Sequence, residues 1–113
     1  MLPKEQDLPD AYRGDTYAQI VLTVKTDEQL ADLSGATAKM AFKQGRKTAL
    51  TWTSEDAQIL VQPEGQIGKI VLPKQIIDIE AGKYLYDLQV TFPDGTRQTY
   101  IRGSIKVVDD VTQ

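Results

Sequence analysis

The chain has 113 residues, a mass of 12.6 kDa and a formal net charge of −3, with no cysteine and no histidine. Its length fits one domain with one modest core, and the two missing residue types exclude disulfides, zinc–thiolate sites, thiol catalysis and the commonest general base. The 13 basic residues are dispersed, so no basic stripe for nucleic acid is visible, and no apolar run reaches the ~20 residues of a membrane span.

Residues 1–11, "MLPKEQDLPDA", do not alternate and carry Pro3, Pro9, Lys4, Glu5, Asp7 and Asp10. They read as an N-terminal arm, disordered alone or lying across a neighbouring subunit, ahead of a single domain over 12–113. The stretch lacks the apolar core of a signal peptide, so the expectation is a chain made in the cytoplasm and not exported by the classical route.

From residue 17 onward the dominant signal is period-two alternation between turn residues, the mark of half-buried strands. "YAQIVLTVK" places Ala18, Ile20, Leu22 and Val24 on one face, and "ATAKMAFKQ" does the same for Ala38, Met40 and Phe42. "KTALTWTS" follows a short "QGR" turn, with Leu50 and Trp52 inward. "QILVQ" and "IGKIVLP" flank the turn signal "PEG". "PKQIIDIEAG" is ambiguous and has room for one helical turn between Pro73 and Gly82. "KYLYDLQVTF" brings Tyr84, Tyr86, Leu88, Val90 and Phe92 to one face, "PDG" signals a hairpin, and "TYIRGSIKVV" adds Ile101, Ile105 and Val107. Seven short alternating strands with turn signals predict an all-β, immunoglobulin-like β-sandwich with an extended N-terminal arm.

One local motif sharpens that expectation. "EAGKYLY" resembles the tyrosine corner of immunoglobulin-type sandwiches, in which the hydroxyl of Tyr84, two residues after Gly82, would bond back to the upstream backbone. Trp52 falls on the third strand, where such sandwiches keep a core tryptophan, and Tyr86 occupies the place of the disulfide cysteine. The tight "QGR" link points the other way, since it pairs strands two and three as a hairpin, whereas the standard topology separates them.

"YRGDTY" contains Arg13-Gly14-Asp15, the tripeptide that integrins read. By average residue frequencies it arises by chance in about two per cent of chains this long, and here it runs directly into a strand. The plainer reading is that Gly14 permits a turn, Asp15 bonds locally to it and Arg13 pairs with a carboxylate. The acidic pairs Asp27-Glu28, Glu55-Asp56, Asp78-Glu80 and Asp109-Asp110 match no calcium-loop spacing, and adjacent carboxylates on a strand face opposite sides. Neither a metal nor another cofactor is expected. Ser34, Ser54 and Ser104 have no histidine beside them, and no G-x-S-x-G, S-x-x-K or phosphate loop occurs, so the chain reads as non-enzymatic. Tyr12, Tyr17, Leu85 and Tyr100 fall outside the inward pattern and are the candidate interface anchors.

Taken in order, "YRGDTYAQIVLTV", "DLSGATAKMAF", "AGKYLYDLQVTF" and "RGSIKVVDDVT" resemble a family of small proteins of tailed bacteriophages and prophages. The layout is similar to the N-terminal module of phage baseplate upper proteins, and the likeness runs over about residues 12–112. Arg13, Gly14, Asp15, Gly82, Tyr84, Arg102 and Gly103 are the signature positions that carry it. The resemblance implies a structural component of a virion, in the tail, baseplate, neck or head surface, acting through contacts with other virion proteins and as a homo-oligomer in the particle. It implies no nucleic-acid or membrane partner. The alternative is a host-surface module for glycan or protein, which the absence of aromatics from the loops "TDEQ", "QGR", "SEDA", "PEG" and "PDG" disfavours.

Overall fold

The computed structural model describes residues 3–109. Among the described residues thirteen strands, most of them short, form an all-β fold. The large sheet contains β1 (Lys4–Glu5), β2 (Ala11–Tyr12), β7 (Thr37–Gln44), β8 (Lys47–Thr53), β12 (Gly82–Thr91) and β13 (Arg97–Val108). Its order is β1-β13-β12-β7-β8, and β2 pairs farther along β13. The second layer is β4 (Ile20–Thr23), β10 (Lys69–Leu72) and β9 (Leu60–Val61), in the order β4-β10-β9. The β3 (Thr16–Tyr17) and β11 (Gln75–Ile76) pair continues that layer past a break, and β5 (Lys25–Thr26) with β6 (Gln29–Leu30) forms a small hairpin. The two layers bury their facing side chains in one core, as a β-sandwich does.

All seven alternating segments are strands, and their inward faces make that core: Leu22, Met40, Phe42, Trp52, Ile70, Leu88, Val90, Ile101 and Ile105 are all buried. Trp52 stacks edge-on against Phe42 at 4.9 Å, a geometry that aromatic quadrupoles favour. The β7–β8 hairpin turns over Gly45-Arg46, with Gly45 at φ 62°. The architecture exceeds seven strands because β1, β2, β3, β5, β6 and β11 are two-residue pairings, too short to show a period. The ambiguous "PKQIIDIEAG" segment holds β11 and no helix.

The N-terminal segment departs from the picture of a loose arm. β1 and β2 run parallel to β13, pairing Lys4 with Ile101 and Val107 with Ala11. Between them Gln6 N–H donates to the Arg102 carbonyl and Leu8 N–H to the Ser104 carbonyl, both at 2.9 Å. Leu8 and Ala11 are buried in the core. Pro9 lies between the two pairings, which is why no alternation betrays the segment.

Two phase changes correct the expected facing of side chains. The strand breaks at Ala18–Gln19, which resets the period-two phase, so that Tyr17 is buried and Ala18 exposed. On β13 the register passes from Leu88↔Ile101 to Gln89↔Thr99, leaving Tyr100 as the extra residue of a bulge. The bulge turns the Tyr100 ring inward, to 7% exposure, edge-on to Phe92. Neither tyrosine is a surface anchor. Tyr12 and Leu85 remain exposed.

Candidate functional site

The signature residues are spread over three structural jobs and do not meet in one pocket: Arg13 and Tyr84 line one depression, Arg102 and Gly103 another. Arg13-Gly14-Asp15 is a tight turn: Asp15 N–H donates to the Tyr12 carbonyl at 3.0 Å, with Gly14 at φ 84°, the left-handed position where glycine carries no steric cost. Arg13 Nε pairs with Asp78 Oδ1 at 3.2 Å, and its Nη1 lies 3.8 Å from Asp109 Oδ1. Asp110 and the rest of "DVTQ" lie outside the described residues. The Tyr84 hydroxyl donates to the Glu80 carbonyl at 2.6 Å across Gly82. Arg102 Nε pairs with Glu5 Oε1 at 2.9 Å. Exposed pairs of this kind contribute at most about 1 kcal/mol each.

Gly103 has a sharper role. A Cβ added there would stand 2.1 Å from the Gln6 carbonyl oxygen and 2.6 Å from its carbon. The backbone of the N-terminal segment therefore crosses directly over Gly103. Beside the crossing, Asp7 Oδ1 accepts from Ser104 N–H at 3.0 Å and from Ser104 Oγ at 3.1 Å. The Tyr86 hydroxyl donates to the Gln6 carbonyl from below.

A groove of about 780 Å³ lies where β1, the β4–β5 run, β6 and β10 meet the bulge of β13. Lys4, Lys25 and Lys69 line it, together with Thr23, Val24, Leu30, Tyr100 and one carboxylate, Glu28. Lys69 Nζ donates to Thr23 Oγ1 at 2.9 Å, a cross-strand pair of the β4–β10 ladder that holds the ammonium at the groove wall. Among the described residues none of the three lysines forms an ion pair. On a chain of net charge −3, the groove is thus locally cationic.

The tyrosine hydroxyls add a second signal. Those of Tyr17, Tyr84 and Tyr86 bond the carbonyls of Pro9, Glu80 and Gln6. Tyr100 is also a mostly buried residue and belongs to the groove lining; among the described residues its hydroxyl bonds no protein group, and that oxygen is open to solvent. A tyrosine O–H open to solvent is a donor that water or a bound anion can take up.

Sequence reasoning missed this site. Its cations come from positions 4, 25 and 69, on three separate segments that only the sheet topology brings together. No spacing rule links them, and the inward turn of Tyr100 depends on a bulge without a residue signature. The sequence has no histidine or cysteine, and among the described residues no group of three or more acidic side chains is placed to hold a metal.

No family model matches the chain, and no curated protein matches it. Among solved structures the chain is similar to CopC from Methylosinus trichosporium OB3b, with a TM-score of 0.49 and 10% identity over 92% of this chain and 88% of that one. The expected kinship with phage baseplate upper proteins is corrected by this outcome: no family model matches, and the likeness reported among solved structures is to CopC. The virion structural role, the virion partners, the oligomer in the particle and the virion localisation rested on that kinship and are withdrawn with it, and the host-surface alternative is withdrawn beside them. At this identity and score the likeness transfers no ligand or activity to the chain.

Proposed function

We propose that the protein is a binding module for a small, multiply charged anion of the phosphate or polycarboxylate class, held in the groove between β1, the β4–β5 run and β10. The observation that carries this reading is the grouping of Lys4, Lys25 and Lys69, none in an ion pair among the described residues, around one groove that Tyr100 also lines. Lysine ammonium groups are point charges suited to phosphate and carboxylate oxygens, and a tyrosine O–H donates to the same atoms. Three exposed charge contacts of about 1 kcal/mol each, with one charge-assisted hydrogen bond of about 1.5 kcal/mol, correspond to a Kd of about a millimolar. The ligand is bound and released unchanged. The same proposal takes the sandwich as immunoglobulin-like, supported by the Tyr84–Glu80 bond and by Trp52 packed on Phe42. It also treats residues 1–11 as a segment docked on the domain of residues 12–113, supported by the β1 and β2 pairings.

Titration calorimetry with pyrophosphate and with citrate tests the assignment. Saturable binding at about millimolar concentration is expected, weakening as salt rises because the contacts are exposed. Lys69→Ala is expected to weaken it about fivefold, the equivalent of one exposed charge contact. Tyr100→Phe is expected to weaken it more, with the ring packing kept. Absence of saturable binding up to about 10 mM of either anion, or unchanged affinity in both variants, overturns the reading.

A further inference from the structure

Lys4 is the one groove cation held by the N-terminal segment, and its hold on the sheet is slight. β1 contributes two residues, and the next fixed points along the chain are Gln6, beside Gly103, and Asp7, bonded to Ser104. The approach of the Gln6 carbonyl is possible only because position 103 has no side chain: any Cβ there meets that oxygen at 2.1 Å and the backbone itself must move. Lys4 pairs with Ile101, the residue next to the bulged Tyr100, so a shift of the segment displaces the ammonium relative to the tyrosine hydroxyl. Lys69 and Tyr100 belong to other strands, β10 and β13, and not to the N-terminal segment.

We infer that Gly103 is a positioning residue for the anion site: by letting the N-terminal segment lie against β13, it places Lys4 over the groove beside Tyr100. This deepens the reading of the groove as an anion site and rests on it. Gly103 touches no ligand and does not line the groove. Its effect on the anion passes through Lys4, whatever the same crossing contributes to the packing of Leu8 and Ala11.

The test is a double-mutant cycle read by pyrophosphate calorimetry on the full chain, with Lys4→Ala, Gly103→Ala and the two combined. Near-ultraviolet circular dichroism of Trp52 confirms that each variant keeps its core, and Lys4→Arg serves as the conservative variant that retains the charge. Lys4→Ala is expected to weaken binding about fivefold and Gly103→Ala by a similar factor, while the double variant falls no further than Lys4→Ala alone. Lys4→Arg is expected to bind like the parent chain. Unchanged affinity in Gly103→Ala overturns the inference, as do losses that multiply in the double variant. If Gly103→Ala disturbs the core, Tyr86→Phe replaces it: losing the bond to the Gln6 carbonyl must weaken binding when Lys4 is present and leave it unchanged when Lys4 is alanine. Failure of the parent chain to bind pyrophosphate overturns the groove reading and this inference together. Binding by the parent with no coupling between positions 4 and 103 overturns this inference alone.

Discussion

Asp27 and Glu28 form the two-residue turn of the β5–β6 hairpin, and both are left-handed, at φ 51° and 66°. Such turns favour Asn-Gly or Asp-Gly, since a side chain at positive φ crowds the backbone. Asp27 tolerates the conformation, and Glu28 does not do so readily. Glu28 is also the single carboxylate on the groove wall. Glu28→Gly is therefore expected to raise stability by about 0.5–1 kcal/mol in urea unfolding and to tighten pyrophosphate binding at the same time. Stability unchanged or lowered, or a weakened affinity, counts against this account of the turn. Tyr17 is a different kind of residue-scale device. Burial first, and the nearby Asp10 second, push its hydroxyl up to about 12, from an ordinary value of 10.0. Tyr86 is raised in the same direction, by burial, then by Asp7, then by Tyr17. A folded-state value above the unfolded one means that the neutral phenol belongs to the fold. The Tyr17 contribution is therefore complete below about pH 10 and is lost as pH rises toward about 12. Melting temperatures measured from about pH 9 to 11.5 should fall more steeply for the parent than for Tyr17→Phe, because the two chains differ only in that hydroxyl. Parallel slopes would remove Tyr17 from the alkaline transition.

At the scale of elements, the long strands were legible and the short ones were not. β7, β8, β12 and β13 run for 8, 7, 10 and 12 residues, long enough for alternation to declare both strand and face. β1 and β2 are two residues each, separated by Pro9, and pair parallel with a strand nearly a hundred residues later. Nothing local could announce them. The bulge at Tyr100 and the break at Ala18–Gln19 were illegible for another reason: each changes the phase of the alternation without changing its residue types. The "RG" of β13 was visible as a motif, and its physical cause, the Gln6 backbone crossing over Gly103, was not. Because Leu8 and Ala11 lie in the core, the N-terminal segment should behave as a structural element. Leu8→Ala is expected to cost about 2–4 kcal/mol, the range for emptying a buried leucine site, in urea unfolding followed by Trp52 fluorescence. A loss below about 0.5 kcal/mol would describe a segment that rests on the surface without contributing to the core.

At the scale of the whole molecule, the groove and the chain closure follow from the same topology. Lys4 reaches Tyr100 only when the first strand has found the last, a contact that spans nearly the entire sequence and closes the largest loop in the fold. The hairpins β7–β8 and β12–β13 need far shorter loops and contribute most of the core aromatics, including Trp52, Phe42 and Tyr86. Closure entropy therefore favours a folding transition state in which those hairpins have met and the N-terminal segment is still free. The segment would then dock after the barrier, so its contacts hold the native state without helping to reach it. For Leu8→Ala this sets how the lost stability divides between the rates. Stopped-flow fluorescence of Trp52 is expected to show unfolding accelerated by nearly the whole equilibrium loss, with refolding unchanged within about twofold. Phe42→Leu, in the hairpin core, is expected to slow refolding instead. A refolding rate that falls in proportion to the stability lost in Leu8→Ala would place the segment in the nucleus, and the anion site would then form with the sandwich and not after it.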